Sequence, residues 1–168
     1  MRYGQIRKFD IANGPGIRTS LFVTGCTHHC VNCFNEAYQD FSAGEEWTDV
    51  ETAELLSYLR LPVVSGLTLL GGEPMQNAKA LIPLLRDVRK AVPEKDIWVY
   101  SGYTYEEIRE DEERVQLLEL CDVLVDGRFV EALKDPGLYF RGSANQRVID
   151  IKKSEAAGAA VLLWPDGR

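Results

Sequence analysis

Three of the chain's four cysteines crowd into one segment, GCTHHCVNCFN at residues 25–35. Cys26, Cys30 and Cys33 are spaced C-x3-C-x2-C. Closely spaced thiolates hold either a zinc ion or an iron–sulfur cluster. With His28 or His29 they would complete a Cys3His zinc set. Without a histidine they would hold three irons of a cubane and leave the fourth iron open. Spacing alone leaves both readings standing, although both histidines lie between cysteines rather than in a separate later pair. On loop residues of this kind, exposure is the plainer expectation for His28 and His29.

A second unusual segment is GGEP at residues 71–74. Two glycines let the backbone approach a ligand closely, and Glu73 adds a carboxylate. Carbonyls and a carboxylate together suit an ammonium group through charge-assisted hydrogen bonds. A plain strand-to-helix turn would read the same. Beside an iron–sulfur loop, the segment suggests a cosubstrate with an α-amino group. Cys121 stands apart, among the apolar residues of VQLLELCDVLVD, and reads as a buried core thiol.

These segments need elements to hold them. The 168 residues suffice for one domain, 1–168, with a sizeable core. Short apolar β-rich runs at 19–25, 66–72, 96–102, 122–127, 146–151 and 159–164 read as strands. Residues 48–61, 77–92 and 104–121 have helical spacing. Thr48 with Glu51 and Thr104 with Glu107 form capping-box signatures. Pro83 predicts a kink or a late start in the second helix. This alternation predicts an α/β fold with helices on both faces of a mainly parallel sheet. The length favours a partial open barrel of about five or six strands, with a doubly wound sheet as the alternative.

On that scaffold the unusual segments share one edge. The cysteine loop follows the first strand, GGEP the second, SGYT (101–104) the third and DGRF (126–129) the fourth. Sites in such folds assemble at the carboxyl ends of the strands.

Composition excludes some roles. The net charge of −7 argues against a nucleic-acid binder. No apolar run reaches membrane-spanning length. The N-terminal residues have no apolar signal core, so a cytoplasmic, reducing setting is expected, where disulfides are a poor reading of the cysteines. The remaining charged residues have open readings. Asp126 and Arg128 either reach the site or sit in a solvated turn. Arg18 either pairs near the cluster loop or is a surface cation. The acidic run EEIREDEER reads as a solvated helix face, and Trp47, Trp98 and Trp164 as packing residues.

The cysteine triplet after a strand, with GGEP after the next, resembles the radical S-adenosylmethionine superfamily. Within it, NGPGIRTSLFVTGC (13–26) is similar to the activases that install glycyl radicals. RGSANQRVIDI (141–151) is similar to the branch acting on anaerobic ribonucleotide reductase. The resemblance runs over roughly residues 4 to 152. It implies that Cys26, Cys30 and Cys33 ligate a [4Fe-4S] cluster, with the open iron chelated by the amino and carboxylate groups of S-adenosyl-L-methionine. It assigns Gly71, Gly72 and Glu73 to the methionyl amino group, Asn32, Cys33 and Phe34 to the loop beside the cosubstrate, and Ser101 and Gly102 to methionyl or ribose contacts. Much of the superfamily carries an aromatic residue just before the third cysteine. Here Asn32 holds that position and Phe34 follows.

The implied reaction needs no side-chain acid or base. An electron from the cluster breaks the C5′–S bond, giving methionine and a 5′-deoxyadenosyl radical that takes hydrogen from a glycine Cα of the reductase. The implied partners are that reductase and an electron donor such as flavodoxin or ferredoxin, with neither nucleic acid nor membrane. Arg141 and Arg147 either hold groups of the reductase or tie down the chain's own loops. The competing expectations are an activase of pyruvate formate-lyase type and a zinc-binding interaction module.

Overall fold

The computed structural model describes residues 1–164; the last four residues of the expected domain lie outside the described part. The elements in chain order are β1 (Arg2–Asp10), β2 (Ile17–Val23), β3 (Glu45–Glu46), α1 (Asp49–Leu59), β4 (Val64–Gly71), α2 (Ala78–Ala91), β5 (Asp96–Tyr100), α3 (Tyr105–Ile108), α4 (Glu112–Leu118), β6 (Val123–Asp126), β7 (Arg147–Asp150) and α5 (Ile151–Ala157). Short 3-10 turns occupy Glu36–Tyr38, Pro74–Asn77 and Glu131–Leu133.

The strands form one sheet in the order β3-β1-β2-β4-β5-β6-β7. The α/β expectation holds, and the middle of the sheet is parallel, from β2 through β4 and β5 to β6. The flanks differ from the expectation. β1 runs antiparallel to both β2 and β3, and β7 antiparallel to β6. A parallel strand needs a crossover, usually a helix. The stretch between β6 and β7 holds only a 3-10 turn, so the chain returns antiparallel. The run at 159–164 forms a single bridge, Leu162 to Ile149, rather than a strand. It follows α5 closely: Gly158 ends that helix at φ 70°, and Asp150 N–H already donates to Val161 O.

The helices pack on one face, not on both. Leu21, Val23, Leu67, Leu69, Ile97, Val99, Leu124 and Ile149 alternate along the strands and join Leu55, Leu81, Leu85, Val88, Ile108 and Leu117 of the helices in one core. The opposite face carries Trp98, Val123, Val125 and Val148 in a small cluster with Tyr100, Phe140 and Trp164 and, among the described residues, no helix residue. Cys121 is buried in the helical core, where its thiol approaches Leu117 O and burial pushes its pKa up. Trp47 packs edge-on against Tyr3, and Trp98 and Trp164 against each other, as packing residues should.

Both capping boxes form. Thr48 and Glu51 close the start of α1, and Thr104 and Glu107 that of α3. The third expected helix is two. Asp111 accepts from the Arg114 N–H and starts α4 afresh, so part of the acidic run caps helices instead of only facing solvent. α2 begins at Ala78 and runs through Pro83, whose exposed ring leaves the missing hydrogen bond on the solvent side.

Candidate functional site: a three-cysteine cavity at the carboxyl edge

The cysteine loop leaves β2 and curls back on itself. Gly25, at φ 95°, lies so close to Phe41 that a Cβ would meet the ring at 2.1 Å. Gly25 and Cys26 N–H donate to Tyr38 O and Gln39 O. His29 (φ 50°) and Asn32 (φ 54°) then take the left-handed conformation, each just before a cysteine. Asn is among the residues that enter this region most readily. Asn32, where much of the superfamily carries an aromatic residue, therefore suits this turn. His28 N–H points to Cys26 Sγ at 3.5 Å and Asn35 N–H to Cys33 Sγ at 3.4 Å, contacts that favour thiolates.

Cys26, Cys30 and Cys33 line one cavity of about 430 Å³. Phe34, Gly71, Gly72, Glu73, Ser101 and Gly102 line the same cavity, so the strand-end loops do converge. Asn32 does not line it; it is exposed and serves the turn. Residues that sequence reasoning passed over complete the wall, among them Arg7, Asn13, Tyr100, Phe129 and Phe140. Phe34 and Phe129 pack as a tilted pair with centroids 4.9 Å apart, above Gly142, where a Cβ would meet Phe34 at 2.9 Å.

Glu73 is buried and fully engaged. Its Oε1 accepts from Met75 N–H (2.9 Å) and Ser101 Oγ (2.9 Å), and its Oε2 from Gly102 N–H (2.7 Å) and His28 Nε2 (3.1 Å). The carboxylate therefore joins the GGEP turn, the SGYT turn and the cysteine loop. Gln76 adds bonds to Thr27 N–H and Thr27 Oγ1, and Asn77 one to Thr24 O.

His28 corrects the expectation of an exposed histidine. Its side chain is 4 % exposed, paired with Glu73 and packed edge-on against Tyr103 at 4.5 Å. His29 Nδ1 lies 3.3 Å from Gln39 Oε1. The His28 imidazole is engaged away from the cysteines, with Glu73, and so is not placed as the fourth ligand of a Cys3His zinc site. Among the described residues, no group of three His, Cys, Asp or Glu side chains is arranged around one metal ion. A cubane takes its thiolates on separate irons, and three thiols spread round a cavity wall suit it. Burial pushes the Cys26 and Cys30 thiols above their ordinary pKa; a bound cation would favour their thiolate forms.

The remaining charged residues have definite places. Asp126 is buried, caps α3 through Tyr105 N–H and pairs with Arg147, which also holds Glu106. Arg147 thus ties the chain's own loops. Gln146 braces the RGSANQR turn, accepting from Gly142 and Ser143 N–H and donating to Gly127 O. Arg141 donates to Gln146 O and lines the cavity. Arg128 is exposed, and its charge lowers the pKa of Cys30 against the larger effect of burial. Arg18 is neither near the cluster loop nor a surface cation. It is fully buried at the amino end of β2 and paired with Asp96 at 2.8 Å.

Comparison with known proteins agrees with this geometry. The family model of the 4Fe-4S single cluster domain matches residues 12–149. The anaerobic ribonucleoside-triphosphate reductase-activating protein of Haemophilus influenzae is 41% identical over 156 residues, covering 90% of this chain and 99% of that protein. Its namesake in Escherichia coli K12 is 40% identical over 156 residues, 90% of this chain and 100% of that protein. The phage T4 protein of the same name is 39% identical over 150 residues, 88% and 93%. The chain belongs to this family of 4Fe-4S single cluster proteins, that of the anaerobic ribonucleoside-triphosphate reductase-activating proteins.

Proposed function

We propose that this protein activates anaerobic ribonucleotide reductase by generating a glycyl radical on it, using a [4Fe-4S] cluster and S-adenosyl-L-methionine held in the cavity. The observation that carries the reading is the meeting of Cys26, Cys30 and Cys33 with the GGEP and SGYT loops on one cavity wall. When bound, the cluster supplies one electron that cleaves the cosubstrate to methionine and a 5′-deoxyadenosyl radical, which takes hydrogen from the glycine Cα. The chain's residues bind and orient. The three cysteines ligate the cluster, and the Gly71 and Gly72 backbone offers carbonyls to the methionyl ammonium. Ser101 and Gly102 hold Glu73 in place beside it. Phe34 and Phe129 offer an apolar face beside Cys33. Phe140 and Leu138 shield the reacting atoms from water. No general acid or base is called for.

A one-electron donor such as flavodoxin or ferredoxin supplies the electron. Reduced thiols and a reduced cluster suit the cytoplasm, and no helix among the described residues is long and apolar enough to cross a membrane. The site, as we read it, is carried on a single domain.

The test is anaerobic reconstitution. The protein is expected to hold about four irons and four sulfides per chain and, once reduced, to show a paramagnetic signal that changes with S-adenosylmethionine. Cys26→Ala, Cys30→Ala and Cys33→Ala each lose the cluster, whereas Cys121→Ala keeps it. Stoichiometric zinc without sulfide would sink the reading. Mixed with the reductase or with pyruvate formate-lyase, the reduced enzyme should raise a glycyl radical doublet only on the reductase. A doublet confined to the lyase would overturn the partner.

A further inference from the structure

Glu73 draws its four hydrogen-bond donors from three places. Met75 belongs to its own turn, and Ser101 and Gly102 to the next strand end. Only His28 comes from the cysteine loop, midway between Cys26 and Cys30. The imidazole has little freedom. Tyr103 meets its ring edge-on, and Gly102 is so close that a Cβ there would meet His28 Cδ2 at 2.4 Å. Tyr103 is itself fixed, accepting from Gln76 Nε2 at its hydroxyl and stacking under the Arg114 guanidinium at 3.9 Å. An ionised carboxylate only accepts, so the proton of this bond sits on Nε2.

We propose that His28 is a positioning residue that fixes the cysteine loop against the Glu73 turn, so that the cluster and the methionyl end of the cosubstrate are held in one register. The proposal rests on the cluster-and-cosubstrate reading above. His28 ligates nothing and touches no reacting atom. It acts through Glu73, by a single bond that crosses from the loop carrying the cluster to the turn facing the ammonium group. The other ties between these segments leave from Thr24, Gly25 and Thr27, outside the interval between Cys26 and Cys30 or at its first residue. Without His28 the three thiols still surround the cavity, so the cluster assembles. What loosens is the distance from the open iron to the GGEP turn.

The experiment uses anaerobically reconstituted protein, with iron and sulfide measured for every variant and S-adenosylmethionine affinity read from the change in the reduced cluster's paramagnetic signal. His28→Ala should keep the parent iron and sulfide and bind the cosubstrate about tenfold or more weakly. His28→Gln, which restores a donor at the reach of Nε2, should recover most of that loss. If His28 acts through Glu73, then adding His28→Ala to Glu73→Gln should weaken binding little beyond Glu73→Gln alone. Parent affinity in fully loaded His28→Ala overturns the proposal, and so do losses that multiply in the double variant. Should His28→Ala fail to take up iron, His28→Leu against His28→Gln decides: similar volume, with and without the donor. Equal affinities for that pair would reduce His28 to a space-filling residue. A parent protein that takes up no cluster, or binds no cosubstrate, would defeat the underlying reading instead.

Discussion

Two charged side chains are sealed into opposite ends of the same parallel strands. At the amino end, Arg18 is fully buried, donating to Thr68 Oγ1, Leu67 O and Asp96 and lying 5.5 Å from the Trp98 ring. At the carboxyl end, Glu73 is 1 % exposed and takes four donors. A buried charge is tolerated only when its hydrogen-bonding capacity is met, and both meet it. They differ in who supplies the partners. Those of Arg18 come mainly from adjacent strands, and the loop carrying Gly14 closes over it. Those of Glu73 come from three loops whose other surfaces face a cavity. The first arrangement shuts one end of the sheet. The second leaves the other end open while fixing the loops around it. Burial of charge alone therefore does not mark a site; the origin of the partners does.

The contrast can be broken most severely at Arg18. Arg18→Ala leaves Thr68 Oγ1 and Leu67 O without their donor, while the half-exposed Asp96 can turn to solvent; it should cost about 1–3 kcal/mol of stability in urea unfolding. Iron content and cosubstrate affinity per folded chain should stay at parent level. A weakened affinity at full folding would show that the closed end is coupled to the site. Glu73→Gln should do the reverse, loosening the three loops the carboxylate joins and lowering S-adenosylmethionine affinity by roughly 10- to 150-fold, about 1.5–3 kcal/mol. Its cluster should remain assembled, and affinity equal to the parent would show that GGEP is only a turn.

The two capping boxes sharpen the same comparison at a smaller scale. Thr48→Ala and Thr104→Ala should each cost about 1 kcal/mol of stability. Only Thr104→Ala, directly after the SGY turn, should also shift the cosubstrate titration. The smallest effect concerns acid. Burial alone would raise the Asp10 carboxyl, but hydrogen bonds from the Asn13 amide and the Ala12 N–H outweigh it and hold the pKa below 3.8. A depressed carboxylate stabilises the fold above its unfolded pKa and loses that contribution as pH falls through the folded value. Asp10→Asn should therefore flatten the acid limb of the stability profile below about pH 4, in thermal unfolding measured across pH.

The four parallel strands were legible because each is an apolar run ending in residues that no strand needs. The capping boxes were legible because their two residues lie three apart. β1 was not. Its apolar residues Tyr3, Ile6 and Phe9 recur every third position, since register shifts at Gly4 and before Asp10 disrupt the alternation. Strand direction was not legible either, because apolar content looks the same in β7 as in β6. The single helical face was hidden by Trp98, Val123 and Val125, which pack on the far side with no helix residue among those described. At the site, the cysteines and GGEP announced themselves by spacing. His28 did not, because its partner lies 45 residues away and nothing local signals the pairing. The one available cue was its place between two cysteines. Phe129 and Arg141 reach the cavity through a loop whose path the local sequence does not dictate.

The clamp on the cysteine loop also bears on how the chain is made. Gln76 reaches Thr27 across 49 residues and Asn77 reaches Thr24 across 53. At roughly 5–20 residues per second of synthesis, several seconds pass between the appearance of the first cysteine and that of the residues holding its loop in place. Until then the loop of Cys26, Cys30 and Cys33 lacks the bonds that Gln76 and Asn77 make to it. The loop and the residues that hold it therefore become available at different times, and the Pro74–Asn77 turn has to emerge before the loop can be clamped.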